Sequence, residues 1–103
     1  MAVQVVYESN GTMKAILEGE IDHHTAKEIR ETIDYNINVK SPSMLEIDFS
    51  KIQFMDSSGI GLIMGRYKLM KSINGQIKVI NVPDNILRMI KLSGLTALGI
   101  IEL

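Results

Sequence analysis

The sequence predicts one α/β domain over residues 1–103, with a mixed, mainly parallel β-sheet and helices packed on it. Two observations predict this fold class. First, the apolar, β-branched run Val3–Tyr7 is followed by a turn signal at Ser9-Asn10-Gly11 and by a second apolar run at residues 13–17, as in a β-hairpin. Second, helix patterns and strand patterns alternate after the hairpin, which is typical of parallel strands joined by helical crossovers.

The first helix is predicted from apolar residues three or four positions apart, namely Ala26, Ile29, Ile33 and Ile37. Two N-caps compete for its start. One is Asp22, and the other is Thr25 with Glu28 as its partner in a capping box.

The remaining elements complete the order β-β-α-β-α-β-α-β. The alternation of Leu45, Ile47 and Phe49 with polar residues predicts a strand. The later elements are a second helix ending at Asn74-Gly75, a strand at residues 77–82, a third helix between Pro83-Asp84 and Ser93-Gly94, and a short last strand at residues 98–103.

Composition argues against several classes of function. The formal net charge of −1 gives no support for direct binding to nucleic acid, and no apolar stretch approaches the ~20 residues that a membrane span needs. The absence of cysteine rules out disulfides, thiolate metal sites and cysteine nucleophiles, and it fits a reducing compartment. Because Met1-Ala2-Val3-Gln4 lacks a basic region before an apolar run, we predict no signal peptide and expect a cytoplasmic protein.

The candidate chemistry lies in residues 54–61, FMDSSGIG, between a predicted strand and the second helix. Asp56, Ser57 and Ser58 are favoured helix caps, so a purely structural role is one interpretation. An anion site is the other, because the free N–H groups and the dipole at a helix N-terminus would tolerate a phosphate on either serine. These local properties do not choose between the two serines.

Three glycines fall within the same predicted helix, Gly59, Gly61 and Gly65, although each costs roughly 1 kcal/mol relative to alanine. Gly61 and Gly65 are four positions apart and therefore share one face, where a bare backbone lets another group come close. We expect a Cβ at Gly61 to collide with such a group.

A second polar cluster, GEIDHHT at residues 19–25, lies between a strand and a helix. The adjacent His23 and His24 suggest a metal ion, but neighbouring helical residues point apart and no third histidine or cysteine exists, so we predict none. Ser57 with a histidine and Asp22 would suit a hydrolase. However, the Gly-x-Ser-x-Gly elbow is missing, because Met55 stands two positions before the serine, and we assign no catalytic residue.

These two segments continue with Gly65-Arg66-Tyr67-Lys68 and with Ser93-Gly94-Leu95. In this order and spacing they resemble the STAS domain family over nearly the whole chain. The likeness is strongest to the anti-sigma factor antagonists of spore-forming bacteria, the subfamily of stage II sporulation protein AA. The resemblance implies a STAS-type fold and a binding protein that is not an enzyme.

The resemblance also implies a mechanism, in which Ser57, the first serine after the aspartate, is the phosphoacceptor. The unphosphorylated protein would bind an anti-sigma factor that is also a serine kinase, release the sigma factor and so regulate sporulation transcription. Phosphorylation would end the interaction, and a metal-dependent serine phosphatase would restore it. ATP and Mg²⁺ would belong to the kinase, and this chain would need no cofactor. The residues expected at the partner interface are Asp22, His23, His24, Asp56, Ser58, Gly59 and Gly61.

Members of this family usually carry a further C-terminal helix after the last strand, whereas this sequence stops at Leu103. We therefore expect one surface of the sheet or core to be less covered. Two other functions stay open. One is a STAS module of a stress-response or transport complex with other partners, and the other is a Ser/His hydrolase.

Overall fold

The computed structural model describes residues 2–103, and Met1, part of the segment used for the signal-peptide prediction, lies outside the described residues. Strands β1 (Val3–Tyr7) and β2 (Thr12–Ile21) pair antiparallel and form the predicted hairpin. Gly11 lies in the turn between them with a φ of 89°, a conformation that favours glycine. The hairpin prediction is therefore confirmed.

Three helices and two strands follow: α1 (His23–Lys40), β3 (Met44–Met55), α2 (Ser57–Ser72), β4 (Gln76–Ile80) and α3 (Asp84–Ser93). The strand order is β1-β2-β3-β4, and only the β1–β2 pair is antiparallel. Because parallel strands are joined by right-handed crossovers, α1 and α2 lie on the same face of the sheet. The predicted fold class is confirmed. None of the helices within residues 2–103 has the length and apolar character that crossing a membrane requires.

One hydrophobic core lies between this face of the sheet and the helices. α1 packs on β1 and β2, and α2 packs on β3 and β4. Helices contribute residues spaced three or four apart, and strands contribute alternate residues. The principal members are Ile29, Ile33, Ile37, Leu62, Ile63, Met70, Ile86 and Ile90 from the helices, and Met13, Ala15, Leu17, Leu45, Ile47, Phe49, Ile77 and Val79 from the strands.

The opposite face of the sheet carries a row of charges. Lys14, Glu46 and Lys78 lie directly across from one another on β2, β3 and β4, so charges of alternating sign are neighbours. All three residues are half-buried. Opposite charges on adjacent strands stabilise a sheet modestly, and a polar row is typical of a sheet face in contact with water.

The last predicted strand, residues 98–103, is wrong in its extent. Leu95–Leu98 form a short 3₁₀ helix instead, and within residues 2–103 the segment after it pairs with the sheet through one parallel bridge, between Ile101 and Val79. Gly99 has a φ of 72° and ends the 3₁₀ helix, so a turn occupies the start of the predicted strand. The apolar residues that suggested a strand are used for packing, since Ile100 is buried in the core.

The glycines of α2 differ in what surrounds them. A Cβ at Gly59 would overlap the sulfur of Met55, so the first turn of the helix lies too close to the end of β3 for a side chain. A Cβ at Gly61 or at Gly65 would meet nothing within 4 Å among residues 2–103. The expectation that a Cβ at Gly61 collides with a neighbouring group is therefore wrong for the described part of this chain.

A partly buried ion pair joins α1 to α2. The Nε atom of Arg66 lies 2.9 Å from Oδ1 of Asp34, and the two side chains are 7% and 30% exposed. Burial lowers the pKa of Arg66, and burial raises the pKa of Asp34 in spite of the nearby guanidinium. Both directions mean that the charged forms lose hydration here, so each charge depends on the other for compensation.

We expect alanine at the two glycine positions to change stability in opposite directions. Gly59→Ala must displace the Met55 side chain and should lower the free energy of unfolding by about 1 kcal/mol, because overpacking outweighs the small gain in helix propensity in a first turn. Gly61→Ala should raise it by up to about 1 kcal/mol. Urea unfolding of both variants measures the difference, and a destabilised Gly61→Ala variant would show a close contact that the structure lacks.

Asp34→Asn is expected to lower the free energy of unfolding by roughly 1–2 kcal/mol, since it leaves the Arg66 guanidinium desolvated with no counter-charge. The double variant Asp34→Leu/Arg66→Met is the control. It removes both charges, and its stability should lie within about 1 kcal/mol of the wild type. Equal stability of Asp34→Asn and the wild type in urea would contradict a compensating role for the pair.

Candidate functional site

The ends of β2 and β3 bring the two predicted polar segments together. Ile21 and Met55 are the last pair in the parallel register of these strands, and the backbone N–H of Asp56 donates to the carbonyl of Ile21 at 3.0 Å. The next residue on each strand, Asp22 on one and Asp56 on the other, is the N-cap of a helix. The two helices therefore begin side by side at the carboxyl edge of the sheet, where ligand sites of parallel sheets gather.

Asp22 caps α1, so the first of the two competing caps is confirmed and the second is wrong. Its Oδ1 accepts hydrogen bonds from the backbone N–H groups of His24 at 2.8 Å and Thr25 at 3.0 Å. The hydroxyl of Thr25 accepts from the backbone N–H of Asp22 at 2.9 Å and closes a capping box, which takes Thr25 as its partner instead of Glu28. These backbone hydrogen bonds lower the pKa of Asp22, and the two histidines add smaller contributions in the same direction.

His23 and His24 are exposed in the first turn of α1, as expected. Their ring centroids lie only 4.0 Å apart, so the assumption that adjacent positions separate the two rings is wrong at this helix start. Residues 2–103 include no group of three or more histidine, aspartate or glutamate side chains that is placed to hold a metal ion. The absence of a bound metal stays a prediction.

The serines that follow Asp56 differ in their surroundings. Ser58 donates its backbone N–H to Oδ1 of Asp56 at 2.7 Å and is half-buried. Ser57 is exposed at the first position of α2. Among the described residues its hydroxyl has no hydrogen bond, and in particular none to His23 or His24, so the geometry of a Ser/His hydrolase is not assembled here.

A basic groove runs between α1 and α2, starting beside Ser58. We call it the α1–α2 groove, with a volume of about 440 Å³, and its lining is His23, Ala26, Lys27, Arg30, Ser58, Gly61, Leu62, Gly65 and Arg66. Gly61 and Gly65 leave room on the α2 side, where a Cβ would meet nothing within 4 Å. The lining carries the side chains of Lys27, Arg30 and Arg66 and no carboxylate.

Sequence reasoning missed these three basic residues as a group. A weak signal exists, because positions 23, 27 and 30 share one face of a helix, and positions 58, 62 and 65 share a face of the next. The packing of α1 against α2 decides whether these two faces lie opposite each other. The periodicity of the sequence does not predict that packing. The predicted interface residues His23, Ser58 and Gly61 line the groove, whereas Asp22, His24, Asp56 and Gly59 lie outside its lining.

Curated relatives are similar to this chain over most of its length. A curated relative from Paenibacillus polymyxa, named anti-sigma F factor antagonist, is 36% identical over 96 residues, covering 92% of this chain and 82% of that protein. A relative from Listeria monocytogenes, named anti-sigma-B factor antagonist, is 25% identical over 93% of this chain and 83% of its own length.

Solved structures show the same fold. The structure of the anti-sigma factor antagonist SpoIIAA in its unphosphorylated form superposes with a TM-score of 0.86 at 29% identity, covering 98% of this chain and 86% of that one. The structure of the Bacillus cell fate determinant SpoIIAA in the phosphorylated form gives 0.77, also at 29% identity, over 98% of this chain and 89% of that one. The family model described as the STAS domain matches residues 4–102, and this chain therefore belongs to the STAS domain family.

Proposed function

We propose that this protein is an anti-sigma factor antagonist that acts by binding and does not catalyse a reaction. In its unphosphorylated form it binds an anti-sigma factor that is also a serine kinase, and this binding releases a sigma factor of sporulation. Phosphorylation of Ser57 ends the interaction, and a metal-dependent serine phosphatase reverses it. ATP and Mg²⁺ belong to the kinase, and the exchange takes place in the cytoplasm.

One observation carries this proposal. Ser57 is an exposed serine at the start of α2, beside two capped helix N-termini, in a STAS domain 36% identical to a protein named anti-sigma F factor antagonist. Exposure also favours Ser57 over Ser58 as the phosphoacceptor. A kinase needs access to the hydroxyl, and Ser57 is exposed whereas Ser58 is half-buried.

The switch acts through local charge and bulk. A phosphoserine adds about −1.5 to −2 charge at neutral pH. The N-terminus of α2 attracts this charge by typically 0.3–1 kcal/mol, and the neighbouring Asp56 repels it by a similarly small amount at the surface. The two effects roughly cancel within the chain, so the fold should hardly respond. At a partner interface the phosphate is desolvated, and a penalty of about 3 kcal/mol weakens binding more than a hundredfold.

A second candidate is an antagonist of another anti-sigma factor, because the relative from Listeria monocytogenes carries the name anti-sigma-B factor antagonist. The fold and the switch would be the same and the partner different. Genes for a kinase and a sporulation sigma factor directly downstream would support the first candidate, and a different sigma factor there would support the second.

We expect phosphate on Ser57 after incubation with the cognate kinase and MgATP, mapped by mass spectrometry. Ser58→Ala should still be phosphorylated, whereas Ser57→Ala should not be and should bind the anti-sigma factor constitutively. Ser57→Asp should bind more weakly, although it carries less charge than a phosphate. Phosphate on Ser58 alone would contradict the assignment.

Amide NMR spectra of the two phosphorylation states test the local character of the switch. We expect chemical-shift changes confined to residues near Ser57 and to the starts of α1 and α2. Changes across the whole sheet would show that phosphorylation alters the fold, and the charge mechanism would then be wrong.

Asp22→Asn separates capping from partner recognition. Asparagine is as good an N-cap as aspartate, so stability at neutral pH should change little, while the lost carboxylate should weaken binding to the anti-sigma factor. Because the folded-state pKa of Asp22 is lowered, the ionised cap adds stability above its ordinary pKa of 3.8. This contribution is lost as pH falls through the folded-state pKa, and the stability of Asp22→Asn should not show this pH dependence. If Asp22→Asn binds the anti-sigma factor as well as the wild type does, Asp22 serves only as a helix cap.

A further inference from the structure

The α1–α2 groove is a concentration of positive charge on a protein with a formal net charge of −1. Lys27 and Arg30 are exposed on the α1 side of it, and Arg66 lines it from α2. Asp34 pairs with Arg66 and is not part of the lining. Within residues 2–103 no ion pair is found for Lys27 or Arg30, and the groove lining contains three basic side chains and no carboxylate.

Arg66 also offers hydrogen-bond donors to the groove. The residue is only 6% exposed, and its guanidinium makes one contact to Asp34 through Nε and one long hydrogen bond from Nη1 to the carbonyl of Leu62, at 3.5 Å. A guanidinium has more N–H donors than these contacts use, and within residues 2–103 the Nη2 group has no protein partner. Nη2 is not among the fully buried atoms, so an anion in the groove could accept its hydrogen bonds.

We propose that the α1–α2 groove receives an acidic segment of the anti-sigma factor, whose carboxylates pair with Lys27, Arg30 and Arg66. This inference rests on the proposed function, because it assigns a role to that partner. A protein segment fits the groove because Gly61 and Gly65 leave the α2 backbone bare, which makes room for a second chain beside the basic side chains. The groove also begins close to the proposed switch, since Ser58 lines one end of it and Ser57 is the preceding residue, although Ser57 itself is not part of the lining.

This arrangement gives the phosphate a second effect. A phosphoserine at position 57 would carry its negative charge on the residue that precedes Ser58, which lines the end of the groove together with His23. It lowers the positive potential that attracts the partner's carboxylates, and it does so without moving any helix. Phosphorylation of Ser57 would thus weaken the attraction between the basic side chains of the groove and the acidic segment of the partner.

Charge reversal tests the proposal on the intact protein. Binding of the purified anti-sigma factor of the same organism is measured by calorimetry over a range of salt concentrations for Lys27→Glu, Arg30→Glu and the milder Lys27→Gln/Arg30→Gln. We expect each charge reversal to weaken binding at least tenfold and to reduce its salt dependence. Arg88→Glu is the matched control, because Arg88 is exposed on α3 and outside the groove, and its effect should stay below twofold. The proposal would be overturned if the control variant lost as much affinity for the anti-sigma factor as the groove variants do. It would also be overturned if the groove variants lost no affinity.

A second measurement does not depend on the anti-sigma factor. A hexaglutamate peptide titrated into the ¹⁵N-labelled protein should shift the amides of Gly61 and Gly65, and the shifts should vanish in Lys27→Gln/Arg30→Gln. Inorganic phosphate or MgATP at the same ionic strength should not reproduce them. If either does, the groove binds small anions and the assignment to a protein segment is wrong. Peptide shifts without any binding of the anti-sigma factor to the wild type would contradict the proposed function and leave the groove as an acidic-peptide site.

Discussion

The parallel pairing of β2 with β3 is the constraint on which the candidate site depends. It ends with Ile21 opposite Met55 and is extended by the hydrogen bond from the Asp56 N–H to the Ile21 carbonyl. Both strands stop at the same level, and each is followed at once by an aspartate that caps a helix. A shift of one residue in this register would turn the core face of a strand to the other side of the sheet, so the burial of Leu17 and Ile47 also fixes where the two helices begin.

From this shared origin, two contacts of different kinds set how α1 and α2 lie beside each other. Near their start, Gly59 lets α2 approach the end of β3, where a side chain would overlap Met55. Farther along, the Arg66–Asp34 pair ties the helices together at the cost of desolvating both charges. The groove is the space left between these contacts, and its charge follows from the same arginine. A residue that secures the helix pair therefore also supplies part of the basic lining of the groove.

Local patterns in the sequence were sufficient for most of the fold. The Asn10-Gly11 turn, the alternation of Leu45, Ile47 and Phe49 and the isoleucine spacing of α1 each depend on neighbours within a few positions, and the structure confirms all three. Two of the predictions that failed depend on distant contacts. The strand predicted at residues 98–103 was an apolar run used for packing, and the room around Gly61 depends on how α1 lies across from it. The choice of cap failed locally: Thr25 with Glu28 followed a valid motif, but the carboxylate of Asp22 accepts from the N–H groups of His24 and Thr25 and takes the cap.

The division of roles along α2 would allow the proposed switch to add a charge at Ser57 while the fold stays constant. The cap hydrogen bond runs from the Ser58 N–H to Asp56, so the Ser57 side chain takes no part in holding the helix start. The core contacts come from Leu62, Ile63 and Met70, which are buried against the sheet, whereas Gly61 is exposed toward the groove. A charge added at Ser57 therefore meets neither a structural hydrogen bond nor a packed side chain. In the proposed switch, the free-energy consequence of this charge would appear chiefly when a partner removes water from around Ser57, because screening by water keeps the same charge weak in the free protein.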